Sequence, residues 1–156
     1  MHQTRWASVD ELNIITDYWI SMANEMSEID NIPKPDRQKI ENTRNLFIRE
    51  METGNLKFRV AVDQKDQIIA CTGGLIRQEY AFPLAEEQTT FGWIIAVYTL
   101  KPYRNNGLAH RLVEEVCTWL KENGAHRARL WSSSKGIQIY ESLGFHSMID
   151  LSKTLH

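Results

Sequence analysis

Polar and apolar positions alternate along this chain with changing periods, and each change marks an element. Thr4 to Ala7 reads as a short strand. Ser8-Val9-Asp10-Glu11 then has the form of a capping box, in which the serine accepts from the third helical N–H and the glutamate reaches back. Leu12, Ile15, Trp19, Met22 and Met26 follow at helical spacing and predict an amphipathic first helix, broken by Pro33 and Pro35. Asp36 can cap a second helix striped by Ile40, Leu46, Phe47 and Met51, and Gly54 suits its C-terminal cap.

From Phe58 the period falls to two. Phe58 to Asp63 alternates as a half-buried strand does, Lys65-Asp66 makes a turn, and Ile68 to Ile76 returns as a second strand. A polar loop from Gln78 to Thr90, containing Pro83, leads to the apolar run Gly92 to Leu100, which suits a central strand buried on both faces. Leu108, Leu112, Val116 and Leu120 then recur every fourth residue, with Gly124 beyond them: a long helix. Ala128 to Ser132 reads as a strand, Ile137 to Leu143 as a short helix, and Phe145 to Leu155 as closing strands. The order β-α-α-β-β-β-α-β-α-β implies an α/β fold: a twisted, mixed, largely antiparallel sheet with helices on both faces. No repeat or linker divides residues 1–156, so one domain is expected.

Composition narrows the function by exclusion. The 156 residues are 42% hydrophobic and 24% charged, as in ordinary globular proteins. The formal net charge of -2 offers no basic field for DNA or RNA, so no nucleic-acid partner is expected. No apolar run approaches the roughly 18 residues of a membrane span, and Met1 to Asp10 lacks the apolar core of a signal peptide, so a cytoplasmic protein away from membranes is expected. Cys71 and Cys117 sit in apolar segments and read as reduced, mostly buried thiols. The five histidines have no metal-like spacing, so no metal is expected.

One junction carries chemistry. Arg104-Asn105-Asn106-Gly107-Leu108-Ala109 joins the apolar strand to the start of the long helix. There, unpaired N–H groups and the positive end of the helix dipole converge, which makes a ready site for an anion, most often phosphate. Gly107 and Ala109 allow close approach, Arg104 adds charge, and Asn105 and Asn106 tolerate left-handed backbone. Taken alone, the pattern is equally that of a polar strand-to-helix turn with no ligand.

A second stretch, Tyr140-Glu141-Ser142-Leu143-Gly144-Phe145, comes after one helix and one strand. With both pieces in this order, the chain resembles the GNAT N-acetyltransferase superfamily, in which R-x-x-G-x-G/A holds a pyrophosphate and Y-x-x-x-G-F comes later. The resemblance is close over Gly92 to Phe145; earlier residues match in the order of their elements. It implies acetyl-CoA lying between two splayed parallel strands, Gly92–Leu100 and Ala128–Ser132. Backbone groups of Val97, Tyr98 and Thr99 would pair with the pantetheine arm, and one N–H would polarise the thioester carbonyl. Arg104, Asn105, Asn106, Gly107, Leu108, Ala109 and His110 would hold the pyrophosphate. Ser133 stands where many relatives carry an asparagine near the pantetheine.

The resemblance also assigns Tyr140 to protonate the leaving thiolate, with Ser134 as the other donor. A phenol of pKa about 10 is protonated at neutral pH and can donate to a sulfur of pKa about 8.5. Many relatives carry a glutamate on the central strand as base, whereas Trp93 to Leu100 has no carboxylate. Glu25, Glu28, Glu79, Glu86 and Glu87 remain open as bases, and Tyr98 as a relay through water. The implied reaction is direct acetyl transfer to a primary amine in a ternary complex. A catalytically silent acyl-CoA-binding module is the competing reading. Acidic residues in the acceptor segments (Glu25, Glu28, Asp30, Asp36, Glu86, Glu87) point to a cationic acceptor. A homodimer is common among members of the family.

Overall fold

The computed structural model describes residues 2–80 and 89–156; Pro83, Glu86 and Glu87 therefore lie outside the described residues. Strand β1 (Gln3–Trp6) leads into a 3-10 turn at Val9–Glu11 and helix α1 (Leu12–Asp30). The Ser8 N–H donates to Glu11 Oε1 at 3.0 Å, the reach-back half of the capping box. Helix α1 stops at Asn31, whose φ of 54° is left-handed, before either proline is reached. Helix α2 (Arg37–Glu52) is capped by Asp36, which accepts from the Lys39 N–H at 2.8 Å.

Strands β2 (Leu56–Val62), β3 (Ile68–Gln78) and β4 (Thr90–Thr99) form an antiparallel meander with β1 at its edge. Helix α3 (Leu108–Glu122) then carries the chain across to β5 (Ala128–Arg129), which runs parallel to β4, and α4 (Ile137–Ser142) comes next. The sheet order is β1-β2-β3-β4-β5.

Alternation along the strands divides the core into two layers. Val60, Cys71 and Leu75 face α1 and α2 together with Leu12, Ile15 and Phe47. On the other face, Ile94 meets Val113, Val116 and Trp119 of α3, with Tyr140 and Phe145 packed alongside. The sheet lets α3 come very close. A Cβ on Gly74 would stand 2.6 Å from Val116 Cγ1, and one on Gly92 would stand 2.6 Å from Leu120 Cδ1. Polar contacts tie the outer rim of α3 to the sheet. Glu115 accepts from the Thr4 hydroxyl at 2.8 Å and lies 3.3 Å from the Arg59 guanidinium.

The end of the chain departs from expectation. Residues 145–156 form neither helix nor strand, and β5 stops at Arg129 rather than Ser132. Ile149, Leu151 and Leu155 fall on one side of an extended chain, but such a partial pattern does not hold backbone in a sheet: the N–H and C=O groups need a partner edge. Among the described residues no such pairing forms, and Ile149 and Leu151 are each 90% exposed. Among the described residues, no helix is long and apolar enough to cross a membrane.

Candidate active site

Strands β4 and β5 pair only where they begin. The ladder is Gly92↔Ala128 and Trp93↔Arg129, and β4 then runs on to Thr99 paired with β3 on its other edge. From Ile94 onward, the β4 edge toward β5 faces a gap instead of a neighbouring strand. Within that free stretch, Ala96 has φ 51°, a conformation that costs a non-glycine residue roughly 1–2 kcal/mol. The register explains it: Gly73 opposes Ile95 and Cys71 opposes Tyr98, so Thr72 faces both Ala96 and Val97. This β-bulge takes its extra residue out of the ladder and re-aims the side chains beyond it. Before it, Trp93 and Ile95 face α1; after it, Tyr98 faces α1 and Val97 faces α3. The bulge thereby puts the Tyr98 phenol on the same side as Trp93.

At the end of β4 the chain makes a 3-10 turn, Lys101–Tyr103, and enters the loop before α3. Asn105 (φ 65°) and Gly107 (φ 76°) both take left-handed backbone. A Cβ at Gly107 would meet nothing within 4 Å, so the space before the helix is open. The Asn106 amide folds back onto the Tyr103 and Arg104 carbonyls at 3.2 and 3.3 Å, which stiffens the loop. The first turn of α3 carries no acidic side chain, so nothing there neutralises the helix's positive end. His110 sits exposed in that turn, 3.8 Å from Glu114.

Arg104 points elsewhere. Its Nε donates to the Thr99 carbonyl at 2.8 Å, and its Nη2 donates to both Glu25 oxygens at 3.0 Å. The guanidinium lies 5.2 Å from the Tyr98 ring, and the Tyr98 hydroxyl donates to Glu25 Oε1 at 3.4 Å. Glu25, Tyr98 and Arg104, distant in sequence, thus form one cluster roofing the free part of β4. Helix α1 also reaches the far wall, where the Ser134 N–H donates to Asp30 Oδ2 at 3.1 Å. That contact with Ser134 holds the Asp30 carboxyl below its ordinary range. The Ser133 hydroxyl accepts from the Gly136 N–H at 3.2 Å, closing the loop before α4.

Tyr140 lies on α4, its ring 5.9 Å from Phe145 in an edge-on contact. Burial raises its phenol pKa above 10, which keeps the proton in place at neutral pH. It lines a cleft of about 300 Å³ together with Trp93, Trp131 and Phe145. Of the other carboxylates considered as bases, Glu28 is exposed. Glu79 is engaged, accepting from Trp93 Nε1 at 3.2 Å and Arg129 Nη1 at 2.9 Å. Cys71 is sealed in the core, its thiol pushed up to about 12 by burial, and so is no nucleophile at neutral pH. The bulge at Ala96, the Asp30–Ser134 contact and the Trp93–Trp131 pair were not legible in the sequence. Alanine gives no local cue to a left-handed backbone, and the other contacts join residues far apart in the chain.

The whole chain superposes on solved acetyltransferases at low sequence identity. A GCN5-related N-acetyltransferase from Ralstonia eutropha matches with a TM-score of 0.86 at 18% identity, covering 99% of both chains. A predicted acetyltransferase from Clostridium acetobutylicum, solved with acetyl-CoA, matches with a TM-score of 0.85 at 19% identity, covering 99% of this chain and 96% of that one. A putative acetyl transferase from Pyrococcus furiosus covers all of both chains with a TM-score of 0.76 at 14% identity. No curated protein matches the sequence significantly. The sequence profile of the acetyltransferase (GNAT) family matches residues 19–145, which contain the bulged strand, the loop before α3 and Tyr140, and the chain belongs to that family.

Proposed function

We propose that this protein transfers an acetyl group from acetyl-CoA directly to a primary amine within a ternary complex. The observation that carries the reading is the divergence of β4 from β5, which leaves a bulged backbone edge open beside a helix N-terminus. The donor set fits acetyl-CoA. An unpaired strand edge suits the amide-rich pantetheine, and the open space before Gly107, facing uncapped helical N–H groups, suits a pyrophosphate.

In this reading, Val97, Tyr98 and Thr99 hold the pantetheine arm by backbone hydrogen bonds. An N–H at the bulge stabilises the oxyanion that develops on the thioester carbonyl. Backbone groups of residues 104–109 cradle the pyrophosphate, with His110 and Ser133 at the margins. The bonds of Arg104 to Thr99 and Glu25, and of its N–H to the Lys101 carbonyl at 3.3 Å, give this residue the task of shaping the loop.

The amine nitrogen bonds to the acetyl carbon as the carbon–sulfur bond breaks, and Tyr140 supplies the proton that the departing thiolate takes up. The amine's surplus proton leaves toward Glu25, with Tyr98 as relay through water. Because Arg104 holds both Glu25 oxygens, much of the rate comes from positioning and carbonyl polarisation rather than from a strong base. Thiol release measured with acetyl-CoA and a panel of amines tests this. Amine-dependent release is expected; binding of acetyl-CoA with no release for any amine would leave only a binding module.

A further inference from the structure

We propose that the acceptor is an arylalkylamine, a single ammonium on an aromatic body, bound on the Trp93–Trp131 pair; this inference rests on the acetyl-transfer reading above. Trp131 lies on β5's side of the cleft, 78% exposed, with its ring centroid 4.9 Å from that of Trp93. A tryptophan so exposed is an expensive surface residue, and this one is held rather than loose. Trp93 carries the Arg129 guanidinium at 4.6 Å, and Glu79 clamps both through Trp93 Nε1 and Arg129 Nη1. The result is a fixed aromatic platform, which binds a flat ring with little ordering cost.

Its position suits a substrate. Trp93, Ile95 and Tyr98 share the face of the sheet that α1 roofs, so the platform and the bulge lie on one surface. Ala96 lies three residue steps beyond Trp93, roughly 10 Å along β4 at about 3.3 Å per residue. A ring stacked on Trp131 with a short alkyl arm therefore carries its nitrogen toward the thioester. Tyr140 lines the same cleft.

Charge selects the same class. Glu79 neutralises Arg129, while Glu141 and Asp150 line the cleft, so its rim favours a cationic nitrogen beside the aromatic platform. A polycation finds less here than the acidic sequence suggested. Among the described carboxylates of the acceptor segments, Glu25 is bound to Arg104, Asp30 to the Ser134 N–H, and Asp36 to the Lys39 N–H, while Glu28 is exposed.

Calorimetry with phenethylamine, ethylamine and spermidine, each titrated into the CoA-saturated protein, tests the proposal. Phenethylamine is expected to bind at least tenfold more tightly than either of the others. Trp131→Ala should abolish that advantage, and Trp131→Phe should retain most of it. Spermidine binding as tightly as phenethylamine, an unchanged phenethylamine affinity in Trp131→Ala, or no phenethylamine binding at all would overturn the proposal. So would a change of oligomeric state in Trp131→Ala by sedimentation, since Trp131 would then serve a second copy. Failure of CoA itself to bind wild type would instead sink the acetyl-transfer reading, and the amine titrations on the free protein would still be decisive for the platform.

Discussion

Tyr140 tests the chemistry through a single oxygen atom. Its ring packs beside Phe145 and the Ile94 cluster, so Tyr140→Phe keeps the packing and removes only the proton donor. Turnover is expected to fall by roughly 10²-fold, the usual reach of general acid catalysis, while melting temperature and acetyl-CoA affinity barely move. The loss should shrink for an acyl donor with a more acidic leaving thiol. A phenylalanine variant that turns over like wild type would transfer the acid role to Ser134 or water. Arg104 and Glu25 make a second case at this scale. Both side chains are about a third exposed, so their pairing contributes only about 0.5–1 kcal/mol and weakens with salt. A double-mutant cycle of Arg104→Ala and Glu25→Gln, read by urea unfolding at low and high salt, should show that coupling; a cycle with no coupling would mean the contact holds nothing in place.

At the scale of elements, the close approach of α3 to the sheet makes a sharp expectation. Gly74→Ala drives a methyl to within 2.6 Å of Val116 and 3.2 Å of Trp119, overpacking that costs about 1–3 kcal/mol. Val116→Ala in the same chain should recover part of that loss in urea unfolding; strict additivity of the two changes would contradict the packing described here. The start of α1 carries a pH signature. The Arg5 hydrogen bond lowers the Glu11 pKa from 4.5 to about 2. Folded Glu11 therefore stays ionised at pH values where the unfolded chain takes up a proton. Its stabilising effect is whole above about pH 4.5 and is lost as pH falls toward 2. Glu11→Gln should flatten this part of the stability–pH curve, and an unchanged slope would show that the Arg5–Glu11 pair does not couple to folding.

The helices were legible because their signals are local: the Asp36 cap and the four-residue stripe of α3 lie within a few residues of the structure they determine. The loop before α3 was legible for the same reason. The bulge, the turning of Arg104 onto Glu25 and the pairing of Asp30 with Ser134 depend on partners far along the chain, and single residues do not announce them. The expected closing strands failed in the opposite sense. Ile149 and Leu151 flank Asp150 as on one face of a strand, but a strand exists only when an edge accepts it.

For the molecule as a whole, two walls and a roof converge on one gap. Residues 104–109 stand at one side, Ser133 and Ser134 at the other, and α1 touches both through Glu25 and Asp30. A ligand in that gap binds only the folded chain, so acetyl-CoA at a hundred times its Kd should add about 2.7 kcal/mol to stability. The account's central claim is that the gap beside Gly107 is the acetyl-CoA site, and calorimetric titration of acetyl-CoA into wild type and Gly107→Val tests it most directly. The valine places a branched side chain in the open space where the pyrophosphate is expected. In a variant shown by circular dichroism to be folded, affinity should fall at least tenfold, about 1.4 kcal/mol. Unchanged affinity in that folded variant would contradict the account.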